Sequence, residues 1–489
     1  MYKQPLILLI LLLALIIPLA AQNTPQLNGT NEAGFTYRTV PDSLRTYFYN
    51  TFDFGLDYKG FSFGMKFNAG LPDYPLEQSE LQEELDPGSI ELAWEEIYAS
   101  YTNGAYSIHS GIMEESFGSG IVFRSYENPE LDLDYRVTGF RFAYDDLFRF
   151  KTLYSGYPNP DATDVLDLAY GADLEVPAFN FLTLGGSYVG MQTLLGNSYR
   201  QDDVLGARAR LMLGFMDLSA ETAVRDDKNK AGSIDGKALY LSGSWALGPV
   251  QFGGAYKLYD NFEYRNRLQD LPLANHHNET LADSQGSGRD ERGFQAWTNV
   301  SLFDGMNLEL DYAEAWDKAR EKRMNDAYAG FEWQLGNTNT IISYNHIEKI
   351  EDDTNHWQKE TYPAFTVSFP TRKAGVVLSG EFKTVEKTVL STHEPHDYVD
   401  ISHYEPRLQA DLSIKKLSLS LALQSHWEDF SSITSSHYWP GLEVKYPILD
   451  GTDLLLFAGR EAGGKVCRNG VCRYVAPFSG LRLELHTRF

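Results

Sequence analysis

The chain has 489 residues, a net charge of −25, and an aromatic content led by 30 tyrosines and 28 phenylalanines, alongside 41 glycines. So acidic a balance excludes nucleic acid as a partner. After residue 21 no apolar run approaches the ~20 residues of a spanning helix, so the mature chain is either exported and soluble or crosses a membrane as strands.

Residues 1–21 read as a cleaved secretory signal. MYK supplies a positive start, PLILLILLLALIIPL an apolar centre, and Leu19-Ala20-Ala21 a small-residue cleavage site before Gln22. Polar sequence follows at once, which argues against a retained anchor, and the cleavage point has no cysteine to make a lipoprotein. Residues 22–489 read as one domain. Its first strand is expected within residues 29–40, leaving no room for a separate amino-terminal plug.

Tight turns then recur at Lys59-Gly60, Asn103-Gly104, Asp145-Asp146, Pro177-Ala178, Gly214-Phe215, Gly248-Pro249, Asp304-Gly305, Gly336-Asn337, residues 372–375, Lys415-Lys416 and Asp450-Gly451. Longer polar connections alternate with them, notably residues 71–88, 117–134, 261–290 and 387–403. Between turns the side chains alternate. In LSLSLALQSHW (residues 417–427) leucines and Trp427 share one face, with Ser418, Ser420, Gln424 and His426 on the other. With Gly248-Pro249 as a two-residue turn, Leu247 faces Val250, Trp245 faces Phe252, and Ser244 faces Gly253, so both faces agree in character across the hairpin. The expected fold is therefore all-β: a transmembrane antiparallel outer-membrane β-barrel of about 24 strands (22–26), with short periplasmic turns and long extracellular loops.

Several residues invite a functional reading. Phe117-Gly118-Ser119-Gly120 is either a bend at the rim or a loop folded into the lumen, with Arg124 then a candidate constriction charge. If Gly214-Phe215 is a two-residue turn, Arg208 faces Glu221 and Arg210 faces Ser219; such pairs stabilise sheets, and they also build selectivity rings. Glu309, Asp311, Arg482, Glu484 and Arg488 are lumenal candidates by the same alternation. The acidic stretches 73–88 and 127–134 are either a solvated surface or a site where divalent cations bridge to anionic lipid headgroups. Histidines gather near the expected outer rim. His393, His396 and His403 lie beside Glu394 and Asp397, with His356, His426 and His437 on other connections; a polar loop collects such residues cheaply, so no metal or cofactor is expected. No spacing singles out a nucleophile with its base and orienter, so no catalysis is expected.

The chain closes on KVCRNGVCRYVAPFSGLRLELHTRF. Asn469-Gly470 is a strong hairpin signal that puts Cys467 directly opposite Cys472, within reach of a disulfide, at an extracellular tip before the last strand. That strand alternates Leu481, Leu483 and Leu485 with Arg482, Glu484 and His486, and ends on Phe489.

ESFGSGIVFRSYENPEL (residues 115–131) and GGKVCRNGVCRYVAPFSGLRLELHTRF (residues 463–489) resemble the uncharacterised outer-membrane barrels of Bacteroidota, grouped as a domain of unknown function. Ala476 before the proline departs slightly from that pattern. The resemblance implies outer-membrane lipid as the surrounding and insertion by the barrel-assembly machinery, with terminal Phe489 as the signal; it implies no activity. Two functions stay open: a channel or solute transporter, or a cell-surface binding or scaffold barrel with an occluded lumen.

Overall fold

A computed structural model describes residues 24–489 except 40–44, 72–90, 129–132, 160–161, 196–197, 228–235, 263–267, 283–287, 352–355, 391–397, 432–435 and 469–470. The expected signal (residues 1–21), His393 and His396 lie outside the described residues.

One sheet of 24 strands runs antiparallel between sequential neighbours and closes on itself. The seam pairs the first strand, Gln26–Arg38, with the last, Phe478–Arg488: Thr30 stands opposite Arg488 and Arg38 opposite Gly480. Closure leaves no edge to pair with other chains. The alternation anticipated from sequence is what builds the wall. Leu421 points outward and is 58% exposed, while its neighbour Ser420 faces inward and is buried. The Gly248-Pro249 hairpin has the expected register, with Leu247 opposite Val250, Trp245 opposite Phe252, and Ser244 opposite Gly253.

Three turns move from their expected places. Strands Ala162–Phe179 and Leu182–Leu195 turn at residues 180–181 rather than at Pro177-Ala178. Pro177 instead stays in the ladder opposite Thr183, at a register slip before Phe179, where a missing N–H costs least. The Glu91–Asn103 and Tyr106–Met113 strands turn at Gly104-Ala105, one residue later than expected, and Asp145 joins Arg149 through three residues. The connection expected over 387–403 is shorter. Strand Gly375–Leu390 and strand Tyr398–Ile414 run on through Val385, Val389, Val399 and Ile401, so His403 belongs to the wall and not to a loop.

The core of this fold lies inside the cylinder. Residues 115–125 form a small hairpin, Glu115–Phe117 against Phe123–Ser125, turned into the lumen. Phe117, Ile121, Val122 and Phe123 are fully buried against inward wall residues, among them Ala169, Val189, Met191, Val204 and Ala223. Phe262, Leu268 and Leu271, from the connection between strands Val250–Asp260 and Asp290–Phe303, join the same cluster. Burying each large apolar side chain contributes about 1.5–3 kcal/mol, so two long connections gain by folding inward rather than staying in solvent.

Candidate functional site: a lumen narrowed by inward connections

The wall is shaped to receive the inward hairpin. A Cβ on Gly206 would lie 2.5 Å from Val122 Cγ2, and one on Gly171 would lie 3.1 Å from Phe117 Cε2, so two glycines form the recesses into which these side chains fit. At the hairpin tip Gly118 has a φ of +61°, and a Cβ there would strike the Glu221 carboxylate. Glu221 accepts a hydrogen bond from the Ser119 N–H at 2.8 Å. Buried Glu115 takes Lys151 at 2.7 Å and Arg141 at 3.0 Å, fixing the hairpin base to the wall.

The two inward connections also hold each other. Arg124 forms an ion pair with Asp270 and lies 4.6 Å over the Tyr126 ring, while its N–H donates to Leu268 O at 2.9 Å. Arg124 is thus a tie between connections rather than a bare constriction charge. Further along, fully buried Lys257 pairs with Glu291 and donates to Leu273 O. His277 anchors the far end, with Nδ1 2.8 Å from Asp326 Oδ2 and Nε2 3.0 Å from Asn345 Oδ1. Burial lowers the His277 pKa, but these two acceptors and the Asp326 charge outweigh it and leave it raised above the ordinary histidine value. His276 stacks on Tyr328 with ring centres 3.9 Å apart.

Below the hairpin tip a cavity of about 690 Å³ is lined by Ser119, Glu175, Arg208, Arg210, Asp217 and Glu221. The register sets Arg208 opposite Glu221 and Arg210 opposite Ser219, as the sequence suggested. The side chains pair otherwise. Arg208 reaches Asp173 through two 2.8 Å bonds, Glu175 at 2.9 Å and Ser187 at 2.7 Å, and Arg210 clamps Asp217 at 2.5 and 3.1 Å. Glu221 is released to hold the inward hairpin. Asp311 is buried on the inner face and accepts from Gln295 Nε2 at 2.8 Å; Glu309 is half-buried two residues away on the same face.

A third element enters from the carboxyl side. Strands Gly464–Arg468 and Val471–Val475 pair with Cys467 opposite Cys472, as expected, but this hairpin is not a free tip. Buried Arg468 turns inward to Glu461 at 2.5 Å and lies 4.7 Å over the Phe457 ring. The reason is local: Glu461 and Glu443 are buried on the inner wall and need a cation. Arg482 joins them, 3.3 Å from Glu461 and 2.9 Å from Glu484. A cavity of about 440 Å³ beside the hairpin is lined by Arg407, Asp411, Gln424, Glu461, Cys467 and Arg468. Arg488 lies at the short-turn end, its N–H donating to Gly451 O. Phe489 closes the seam through two backbone bonds with Gly29 and stacks on Phe52 at 6.0 Å.

Sequence reasoning named the right segments yet missed Asp270, Glu405, Glu461 and Arg468. Glu405 alone carried a usable signal: it is two residues from His403, hence on the same face of a strand.

Among solved structures, the chain resembles the translocation pore of the P pilus usher PapC with a TM-score of 0.50 and 10% identity, covering 95% of this chain and 99% of that one. It also resembles a chain of the E. coli P pilus tip assembly intermediate PapC-PapD-PapK-PapG, with a TM-score of 0.59 and 10% identity over 96% of this chain and 62% of that one. At such identities the likeness is one of fold, that of an outer-membrane barrel. No curated protein matches the chain in sequence. A model described as a family of unknown function (DUF6029) matches residues 3–283, more than half of the chain, and the protein therefore belongs to that family.

Proposed function

We propose that this protein is an outer-membrane conduit for small polar solutes, gated by its own inward connections. Outward leucines meet lipid, the short turns face the periplasm, and the long connections face the cell exterior. Insertion is by the barrel-assembly machinery, with Phe489 at the strand that completes the seam. The observation that carries this reading is the unlike lining of the interior. One side is apolar and packed under residues 117–123 and under Phe262, Leu268 and Leu271, whereas charged side chains such as Arg208, Arg407, Asp411 and Glu461 line the cavities that remain. Charged side chains around open volume are what a path for polar solutes presents to them.

Purified protein in planar bilayers tests this. Stepwise currents are expected, and removal of residues 116–124 is expected to enlarge each step. A silent bilayer for both proteins, with the barrel folded and heat-modifiable, would refute the conduit. That outcome would favour the second reading, a cell-surface scaffold whose lumen is closed, which the buried interior cluster also supports. We further propose that Cys467 and Cys472 are joined by a disulfide, since they are directly opposed in the ladder and the chain is exported.

A further inference from the structure

Among the described residues, two groups bring histidine nitrogens and carboxylate oxygens close enough to share an ion: Glu32 with Glu484 and His486, and His403 with Glu405 and His426. In the first, the carboxylates are already committed. Tyr49 donates to Glu32 at 3.0 Å and to Glu484 at 3.2 Å, and Arg482 lies 2.9 Å from Glu484. The second is built differently.

His403 and Glu405 sit two apart on the inner face of strand Tyr398–Ile414. The ladder to strand Leu417–His426 pairs Arg407 with Gln424, and the isolated Tyr404–Trp427 bridge continues the same register, which sets Glu405 opposite His426. From the next strand, His437 stands opposite His426. His403 is buried, and its ring lies 4.4 Å from that of His426. His403 Nε2 is 3.1 Å from Glu405 Oε1, and His426 Nδ1 is 4.0 Å from the same oxygen. All three donor atoms lie within 4.8 Å of one another. Zinc–ligand bonds of about 2.0–2.1 Å at tetrahedral angles put donors roughly 3.3 Å apart, so side-chain rotations that bring them together by about an ångström complete the geometry.

An independent feature points the same way. With Nδ1 turned to the group, His426 has its other ring nitrogen held by Glu428 at 3.2 Å. A carboxylate on the far nitrogen is the support that fixes the orientation and tautomer of a metal-binding imidazole. The nearest amine, Lys383, faces Glu405 in the ladder, but its Nζ is 2.5 Å from Glu360. On the outer face at this height Phe382, Tyr404, Trp427 and Phe430 pack together, an aromatic group of the kind that marks the membrane interface.

We propose that His403, Glu405 and His426 bind one divalent transition-metal ion of the zinc, nickel or copper class, at the extracellular mouth of the lumen. Two imidazoles and one carboxylate suit these borderline ions, whereas calcium and magnesium require oxygen donors throughout. Three protein ligands leave a position open for water or for a passing solute.

The test uses the full chain in detergent, stripped with a chelator and dialysed against zinc, with bound metal read by elemental analysis. One zinc per chain is expected, undisturbed by millimolar calcium. The His403→Ala/His426→Ala double variant is expected to lose it, and Glu428→Gln to weaken it about 10-fold or more. Stoichiometric zinc retained by the folded double variant, no zinc on the parent protein, or displacement by calcium would each overturn the proposal. If the double variant does not fold, Glu428→Gln decides, and unchanged affinity there overturns it. Conductance plays no part in this readout, so the metal site and the conduit stand or fall separately.

Discussion

Phe117→Ala tests the packed interior most directly. Phe117 is fully buried, 5.4 Å from the Phe123 ring, in a hairpin that contributes nothing to the closed ladder of the wall. Truncating a buried Phe to Ala costs about 3–5 kcal/mol. Because the wall keeps its own hydrogen bonds, that cost falls on docking of the hairpin rather than on the barrel. At 1.4 kcal/mol per tenfold, the open population of residues 115–125 should rise roughly 10²- to 4 × 10³-fold. The assay is hydrogen exchange of those amides in detergent-solubilised protein, with heat-modifiable migration as the control for an intact barrel. Gly206→Val supplies the same perturbation from the wall side, since a side chain there collides with Val122. Slow, unchanged exchange at residues 115–125 in both folded variants would refute the claim that apolar burial holds the hairpin in the lumen.

Three further outcomes are expected. Arg208→Gln leaves Asp173 buried without its cation, and breaking such a pair costs about 3–5 kcal/mol; thermal unfolding should shift down, and reversal potentials in a salt gradient should move toward cation preference. The raised His277 pKa means its contribution to loop docking is fully present below the ordinary histidine value and is lost as pH rises through the raised one. His276, Glu279, Asp326, Tyr328, Asn345 and Tyr362 surround this ring, and the protection factors of amides 276–282, with the intrinsic pH dependence of exchange divided out, should fall on going from mildly acidic to alkaline pH, a fall that His277→Gln should flatten. Alkylation of the unreduced, unfolded chain should label neither cysteine, and alkylation after reduction should label both; two labels before reduction would exclude the disulfide.

The wall was readable residue by residue because a strand in a barrel has one rule, every second side chain outward, and a hairpin register follows from its turn. That is why Trp245 and Phe252 could be paired without coordinates. The inward connections were not readable in the same way. GSGIVF at residues 118–123 is apolar enough to seek burial, but its partners, from Ala169 to Ala238 and on to Leu268, are far away in sequence and are brought together only by closure. Arg468 and Arg124 illustrate the same limit: one reads as part of a hairpin tip and the other as a constriction charge until a buried carboxylate or a second connection is placed against it. His403 was misplaced for a different reason, since polar residues in a strand that meets water on its inner side look like loop.

The seam between residues 30–38 and 480–488 has a consequence for how the molecule comes to exist. These partners are separated by nearly the whole length of the polypeptide, so the opening strand finds its second neighbour only when the last strand is in place. A sheet not yet closed carries two bare borders, each able to template unwanted association. Contacts of such long range form slowly. Closure of the ladder therefore has to wait for the final strand, whatever the order in which the other strands pair.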